Sequence, residues 1–576
     1  MILKALYDYY ERCKDNLPPM HNALVEFFYA IVIDENGTFK RLEPLDGMSL
    51  LIYRPEERTS APIPHSMGDN GSYVLGLKGL KSDSDDKSIL SELKKNEKNH
   101  TSFKNDVKNI FESLPNNRYA RAVFLFYEKY NIEIIRQMKR DGNWADFCKS
   151  LNRNMTFRID GDIVLAACDS QIIDYKISSA VNENNEAICL VTGAKEKPVS
   201  TTYSTFVRGS KSNAKLVSFQ ITSGYDSYGK EKGLNAPISE DAEFKYTTAL
   251  LTLLSKNSRN KFVIGSRTFL FWSSADNVVG HKAEESLFDL FGFSDAEDDD
   301  PNAKIEQVRK VFKAIYSGEL NTSLDDKFYI LGLAPNAARI AVVYWAEIPL
   351  KEFAKRINRH FEDMEITGAN KPYMALRSIL GAVTLGGKAS DATPNLPDAL
   401  VKSIFQGIPY PYTLFAECIR RIRAEQSIYT TRAAIIKAYL NRLNNINEQN
   451  IKVMLDKNNT NPGYLCGRLF AVLDKIQEDA NNQHTIRERY MNSASATPSA
   501  VFATILNLSS HHSEKLNEGR NVFFDQLKQE IIDKIDADGF PAHLDLQDQG
   551  RFFVGFYHQR QAFFTKNEKE ENNNNQ

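Results

Sequence analysis

Cysteine is scarce and scattered in this sequence. Six cysteines are spread over 576 residues, and no two of them form a C-x-x-C pair or stand beside a cluster of histidines. Tetrahedral zinc usually needs two close pairs of ligands, so the spacing excludes a zinc site of that kind. We interpret the cysteines as buried free thiols in a reducing cytosol, and we expect neither a metal ion nor another cofactor.

Long apolar runs and a strong net charge are also missing. No stretch approaches the ~18 apolar residues that a membrane span needs, and the opening MILKALYDYYERCK predicts an amphipathic helix, not a signal peptide. We therefore expect a cytoplasmic protein. The net charge is −2 with 25% charged residues, which argues against a molecule that coats nucleic acid all over. Any contact with nucleic acid must come from local patches.

Motifs for catalysis are absent as well. The sequence has no H-E-x-x-H and no G-x-S-x-G. Its Gly381–Lys388 segment misses the register of a phosphate-binding P-loop by one residue, and Ala389 follows the lysine where Ser or Thr is needed. The single histidine pair, His511-His512, has no acid at metal-ligand spacing. We expect a protein that is not an enzyme, with an unrecognised active site as the weaker alternative.

The order of apolar patterns predicts an α+β fold. Strand-like runs and hairpin signals at Asn36-Gly37 and Asp46-Gly47 indicate a mixed body over residues 1–349, with a charged, solvated helical insertion at about 81–114. Successive helical patterns then indicate a helical region over 350–453 and a C-terminal helical bundle over 454–576. The low-complexity tail from about 567 predicts disorder.

The segment Ile188–Leu253 concentrates glycines, basic residues and amides around short apolar runs. Residues 195–232 hold seven Lys/Arg against three acids. Bare backbone, cations and amide side chains suit a loop that holds phosphates and tests base edges. On composition alone, a solvated glycine-rich β-meander is an equally good interpretation.

Two further places carry the same residue types. A helical pattern over Arg420–Arg442 has six Lys/Arg and one acid, although such a face is more often merely solvated. The loop before Val74 contains Asn70, which fits either a turn or the reading of a base edge. The secondary basic patch comprises Arg420, Arg421, Arg423, Arg432, Lys437 and Arg442.

Those pieces lie within motifs that resemble a known family. The sequence is similar to the large subunit of type I-C CRISPR interference complexes (Cascade), the Cas-eight-c or Dvulg-subtype family. The resemblance covers almost the whole chain and rests on MILKALYDYYER, ICLVTG, LVSFQ, SYGKEKGLNAPISEDAEFKYTTAL, IGSRTFLFW, FYILGLAPNAARIAVVYW, GRLFAVLDKIQEDA, RERYMNSASATPSAVFATIL and QGRFFVGFYHQRQAFF. One departure is Gln220, where the family usually has asparagine.

The resemblance implies a DNA-recognition subunit that works without catalysis. Such a subunit joins CRISPR RNA with cap, backbone and small subunits, reads the protospacer-adjacent motif on duplex DNA, helps to open the duplex, stabilises the R-loop with its displaced strand, and supports recruitment of the three-type helicase-nuclease. The alternative is a structural scaffold that binds CRISPR RNA and partner subunits without reading DNA sequence. The candidate DNA-binding residues are Asn70, Arg208, Lys211, Lys215, Gln220, Lys230, Lys232 and Asn235.

The resemblance also implies that the C-terminal helices are made twice. In that family an internal translation start yields a separate small subunit. Met454 stands between helical patterns, before the break Asn461-Pro462-Gly463, and a start there leaves 123 residues, 454–576. We expect Met454 to be this start, with Met491 as the runner-up; the alternative is that Met454 is an ordinary core residue.

Overall fold

The chain forms two compact units. The structure, a computed structural model, describes residues 1–58, 61–179, 186–219, 226, 228–292, 300, 302–368, 373–443, 449–536 and 538–574, with the backbone alone from 565. Unit 1 comprises Met1–Phe206, Ser210–Ser255 and Ala337–Ile340, and unit 2 comprises Val207–Gly209, Lys256–Asn336 and Ala341–Gln576. The predicted α+β class is confirmed, since the strands of the described residues all lie before residue 350 and helices alone follow them.

Unit 1 places helices beside a four-stranded mixed sheet. The strand order is β2-β1-β4-β3; β1 pairs with β2 antiparallel and with β4 parallel. The elements are α1 (Ile2–Cys13), β1 (Asn22–Ile33), β2 (Phe39–Tyr53), β3 (Gly68–Asn70), α2 (Gly71–Val74), α3 (Asp86–Lys95), α4 (Glu97–Ser113), α5 (Arg118–Lys129), α6 (Ile132–Lys139), α7 (Trp144–Lys149), β4 (Asn154–Ile159), α8 (Ser170–Ser179), β5 (Ala187–Ile188), β6 (Lys195–Glu196) and α9 (Glu240–Leu254).

Of the two hairpin signals, one makes a turn and the other a bulge. Between β1 and β2, the Asp34 carboxylate accepts the backbone N–H groups of Asn36 and Thr38, and Gly37 takes φ +75°. Asp46-Gly47 lies inside β2, where the register slips between Phe27 and Tyr29 of β1. The prediction of a second hairpin is therefore wrong, because positive φ at both residues fits a bulge as well as a turn.

The charged segment at 81–114 is not a solvated insertion. Its helices α3 and α4 turn apolar side chains inward, and Ile89, Phe103, Val107 and Ile110 are buried in the core of unit 1. The lysines occupy the opposite faces. The prediction is wrong because it followed the high charge content and not the amphipathic pattern, in which each helix has one apolar face.

Unit 2 combines a second four-stranded sheet, order β10-β9-β8-β7, with a large set of helices. Its elements are β7 (Lys261–Ile264), β8 (Arg267–Ser273), α10 (Val278–Phe291), α11 (Ile305–Ser317), β9 (Lys327–Asn336), β10 (Arg339–Pro349), α12 (Leu350–Met364), α13 (Leu376–Ala382), α14 (Leu396–Gln406), α15 (Tyr412–Glu425), α16 (Thr430–Arg442), α17 (Pro462–Asn481), α18 (Thr485–Ala496), α19 (Pro498–Ser513), α20 (Glu518–Ile532) and α21 (Leu546–Asn574).

One hydrophobic core runs through unit 2, from the sheet to the last helix. Phe328 of β9 stacks on Phe353 of α12 with ring centroids 4.7 Å apart, and Phe312 of α11 meets Phe353 edge-on. The compact units therefore divide near residue 255, not at the change of pattern at 349. Helical periodicity marks where helices begin, but it does not tell which core they join.

Helices α17 and α21 approach each other through glycines. A Cβ on Gly463 would lie 2.4 Å from the carbonyl oxygen of Asp548, and a Cβ on Gly555 would lie 2.3 Å from that of Tyr464. Glycine is needed wherever two backbones come this close. The α21 backbone then continues as helix to Asn574, through the tail for which composition predicts disorder.

Candidate nucleic-acid interface

A buried ion pair anchors the glycine-rich segment of unit 1 to α9. The Glu243 carboxylate, 7% exposed, receives hydrogen bonds from Arg54 Nη1 at 3.1 Å and from the backbone N–H of Tyr203 at 2.7 Å. The Arg54 guanidinium also lies 4.1 Å from the centre of the Tyr203 ring and donates to Thr247 Oγ1 at 2.9 Å. Charge-assisted bonds of this kind fix the chain at Tyr203.

A second carboxylate holds the next residue. Glu57 accepts the backbone N–H of Ser204 at 2.6 Å and its hydroxyl at 3.0 Å, and it pairs with Lys215 Nζ at 3.3 Å. The Lys215 ammonium also donates to the Thr202 carbonyl and to Thr201 Oγ1, and its side chain is only 15% exposed. Lys215, a candidate phosphate contact from sequence, therefore braces the loop instead of facing a partner.

Backbone hydrogen bonds tie the segment to itself. Val199 N–H donates to the Ile238 carbonyl at 2.9 Å, and Gly233 N–H donates to the Ser200 carbonyl at 3.1 Å. A Cβ on Gly233 would lie 2.0 Å from the Val199 oxygen, so this approach requires glycine. Within the described residues, regular strand is limited to the short β5 and β6, and the predicted meander is a set of pinned turns.

Several basic side chains of this segment are exposed, unlike that of Lys215. Lys211 and Lys230 are exposed, and Lys232 is half-buried with its backbone N–H bonded to Asp226. Arg208 is exposed too, but it belongs to unit 2. No ion pair joins these four side chains to another described residue. Two residues before Lys230 in the sequence, the Tyr228 side chain is 100% exposed; the sequence patterns did not single it out. Exposed lysines can hold phosphates, and an exposed aromatic ring can stack on a base.

The three amide candidates differ in their availability. Asn235 is exposed and donates Nδ2 to the Lys230 carbonyl at 2.8 Å. Asn70 caps α2, since its Oδ1 accepts the Ser72 N–H at 3.1 Å and the Ser72 hydroxyl at 2.6 Å. Gln220 lies outside the described residues. Asn70 is therefore committed to local structure, while Asn235 lies at the surface and also holds its own turn through Lys230.

A buried polar cluster sits beneath Asn70. The Asp69 carboxylate, fully buried, pairs with Arg58 and accepts Asn70 Nδ2 at 3.1 Å and the His65 N–H at 2.9 Å. Burial raises the pKa of Asp69 to about 6 and lowers the pKa of His65 to about 3. The cluster holds the turn before α2, which explains why the chain needs polar residues there.

The secondary basic patch is mostly not a surface. In unit 2, Arg432, Lys437 and Arg442 are 2%, 3% and 1% exposed. Arg442 pairs with Asp363 and donates to the Ser403 and Ile408 carbonyls at 2.7 and 2.9 Å. Arg432 donates to the Ala382 carbonyl at 3.0 Å. These carbonyls lie at the ends of α13 and α14, where unpaired oxygens attract cations.

Burial also lowers the pKa of Lys437, whose ammonium donates to the Glu362 carbonyl. On α15, Arg420 is exposed but pairs with Glu417, and Arg421 pairs with Glu425 at 3.6 Å. Arg423 is half-buried. The prediction of a basic surface on α16 is therefore wrong, because its cations satisfy neighbouring helix ends.

Met454 lies in the irregular stretch between α16 and α17, with 63% of its side chain exposed. The alternative that it is a core methionine is thereby excluded. Among the described residues, no group of three or more His, Cys, Asp or Glu is placed to hold a metal ion. In the same part of the chain, no helix is both long and apolar enough to cross a membrane.

Comparison with known proteins defines the class. The model of one family, described as CRISPR-associated protein (Cas_Csd1), matches residues 6–564, nearly the whole chain. The protein is thus CRISPR-associated. In particular, it belongs to the Cas_Csd1 family. No curated protein matches the chain.

Proposed function

We propose that this chain is the large subunit of a type I-C Cascade complex and that unit 1 reads the protospacer-adjacent motif on duplex DNA. The observation that carries the proposal is the pinned loop: two carboxylates, Glu243 and Glu57, fix its base, and Lys211, Lys230 and Tyr228 project from it. Membership of a CRISPR-associated family supports a nucleic-acid partner for such a surface.

Base pairing by the guide RNA limits what the protein itself has to recognise. The CRISPR RNA selects the target by base pairing, so the protein needs only a short-motif reader and cations for the phosphate backbone. A loop whose base is rigid offers its exposed groups without a large entropic cost on binding. In this proposal the subunit then helps to open the duplex, stabilises the R-loop and its displaced strand, and supports recruitment of the helicase-nuclease. Its other partners are CRISPR RNA and the backbone, cap and small subunits.

The proposal assigns no catalytic step to this chain. DNA cutting belongs to the recruited helicase-nuclease, and no cofactor is required for motif reading. Metal-dependent nicking that follows this polypeptide through purification would contradict that assignment.

The test is to assemble the complex with and without this chain and to measure its affinity for duplexes that carry or lack the flanking motif. We expect the preference for the motif to disappear when the chain is absent. If the preference persists, the chain is a scaffold that holds RNA and partner subunits, and the reader is another subunit.

A further inference from the structure

A row of cations runs along the solvent face of α12 in unit 2. Lys351, Lys355 and Arg359 are all exposed and stand four residues apart. Residues at i, i+4 and i+8 form an inclined ridge on one side of a helix, each about 40° around the axis and about 6 Å along it from the one before. The row therefore spans about 12 Å of one helix face.

The opposite face of α12 fixes the row toward solvent. Phe353, Ile357 and Phe361 are buried in the core of unit 2, and Asn358 Nδ2 donates to the Phe312 carbonyl of α11 at 3.0 Å. Because this face cannot leave the core without exposing large apolar side chains, α12 cannot rotate the cations inward. The basic residues on α16, in contrast, are used within the protein.

Nearby acids do not neutralise the row. Lys351 and Arg359 form no ion pair with a described residue, and Lys355 reaches Glu352 only at 3.9 Å. That carboxylate is closer to Arg356, whose Nε donates to it at 3.1 Å. Glu362 is exposed one turn beyond Arg359. Among the residues of α12, three exposed cations therefore stand against one carboxylate that forms no ion pair with a described residue, since Asp363 pairs with Arg442.

We infer that this face is a second phosphate-binding surface, on which Lys351, Lys355 and Arg359 hold the backbone of a nucleic acid. The inference rests on the proposed function, which supplies a nucleic-acid partner. Evenly spaced cations on a rigid helix match a polymer with one negative charge on each unit of its backbone. An acidic protein surface would need no such regular spacing.

The surface carries no amide or aromatic group in the row, so it binds without reading bases. Its contribution is then the same for every sequence and falls steeply with salt. Its composition differs from that of the loop of unit 1, which includes Asn235 and Tyr228 besides its lysines.

The test compares three triple or double variants of the full-length chain. The first removes the row as Lys351→Gln/Lys355→Gln/Arg359→Gln. The matched control, Lys87→Gln/Lys94→Gln/Lys98→Gln, removes the same charge from exposed positions on α3 and α4. The third, Lys211→Gln/Lys230→Gln, weakens the loop. Affinity for a duplex and for a single strand of the same sequence is measured between about 50 and 200 mM salt.

We expect the row variant to bind at least roughly tenfold more weakly at low salt. The slope of log affinity against log salt should be shallower by about two, since each lost phosphate contact removes roughly 0.7–0.9. The DNA form that loses more affinity, duplex or single strand, is the form that the row holds. The control should bind like the wild type.

The outcomes separate the two proposals. If the row variant binds normally while the loop variant is weakened, the second surface is refuted and the loop stands. If the row variant alone is weakened, the row is supported and the proposed loop interface fails. Equal weakening in the row and control variants means a general charge effect and overturns the inference. So does normal binding by all three.

Discussion

Gly467 of α17 lies so close to Phe552 of α21 that a Cβ on the glycine would be 1.9 Å from the phenylalanine carbonyl oxygen. Real Cβ atoms do not approach backbone oxygen this closely, so Gly467→Ala must push the helices apart. We expect a loss of about 1–3 kcal/mol in the free energy of unfolding of unit 2, as for other overpacked cores.

Chemical denaturation checks this. Gly519→Ala on α20 is the control, since only Asn517 Oδ1, at 3.9 Å, lies near its added Cβ. That change should be neutral or stabilise by up to about 1 kcal/mol. Equal effects from both substitutions would show that close backbone approach is not the cause.

Lys211 and Lys215 should behave differently although they lie four residues apart. Lys211 is exposed, while Lys215 pairs with Glu57 inside the loop. Lys211→Glu/Lys230→Glu should weaken binding to all DNA sequences similarly and flatten its dependence on salt. Lys215→Gln should instead loosen the loop, which limited proteolysis would detect as faster cleavage. The slope of log DNA affinity against log salt should change little. Unchanged DNA affinity of the double variant at moderate salt would refute the interface.

Among the amides, Asn235→Ala should lower the preference for the flanking motif, with a loss of stability limited to its exposed turn, where Asn235 Nδ2 donates to the Lys230 carbonyl. A base-edge amide contact contributes roughly 1–3 kcal/mol of discrimination. Asn70→Ala should act mainly on folding, because loss of a helix cap costs about 0.5–2 kcal/mol. Competition binding with correct and altered motifs, beside thermal unfolding, distinguishes the two. If neither variant alters the motif preference, Gln220→Ala is the remaining test of these three candidates.

Unit 2 should lose stability in mild acid. Burial lowers the pKa of His360 and of His558 to about 3, whereas an unfolded histidine titrates near 6.5. Below pH 6.5 the unfolded chain therefore binds more protons, and stability falls until about pH 3. Each histidine should cost about 2 kcal/mol between pH 7 and 5.

Denaturation at those two pH values measures the loss. His360→Gln, which can still hydrogen-bond to the Tyr410 hydroxyl that contacts His360 Nδ1 at 2.7 Å, should reduce the loss by about half if the two histidines contribute equally. The exposed His281 provides the control, and His281→Gln should retain the wild-type change. An identical pH dependence in the wild type and His360→Gln would contradict the assignment.

We propose that translation also starts at Met454, which is exposed between α16 and α17. The product, residues 454–576, would contain α17 to α21 but would lack the neighbours of α21. Tyr557 OH donates to the Thr367 carbonyl at 2.8 Å, and a Cβ on Gly550 would lie 2.9 Å from the Phe415 ring. We therefore expect the fragment to be soluble only with a partner that covers this face.

Expression with a C-terminal tag, followed by N-terminal sequencing of any short product, decides whether the start is used. Met454→Leu in the full gene should abolish the short product and leave the long chain unchanged. A product that survives this substitution, or begins at Met491, would exclude Met454.

Sequence patterns predicted where the helices and strands of this protein lie better than which of their polar side chains are buried. Periodicity located α12 and α16 equally well, yet Arg432 and Arg442 are buried while Lys351 and Arg359 are exposed. The difference depends on which helix ends lie nearby, and that is a property of tertiary structure. Spacing did contain a usable signal, since the basic residues of α12 recur every four positions on the side opposite its apolar stripe.

The candidate loop shows the same limit. Composition identified the segment, and glycines such as Gly233 indicated close backbone approach, but Glu57 and Glu243 are 147 and 40 residues from the groups they fix. No local pattern connects residues across such separations. From the sequence, Lys215 was therefore predicted to bind DNA in the same way as its exposed neighbour Lys211.

The pairing of α17 with α21 gives the order of synthesis a role in folding. A ribosome finishes α17 about 65 residues before the first turn of α21 emerges, and until then the glycine face of α17 has no helix against it. The core of unit 2 is completed only when the end of the chain has been made, whereas unit 1 can begin folding as soon as its main segment is released. Premature termination between Asn481 and Leu546 would thus leave an apolar groove along α17 open to chaperones and proteases.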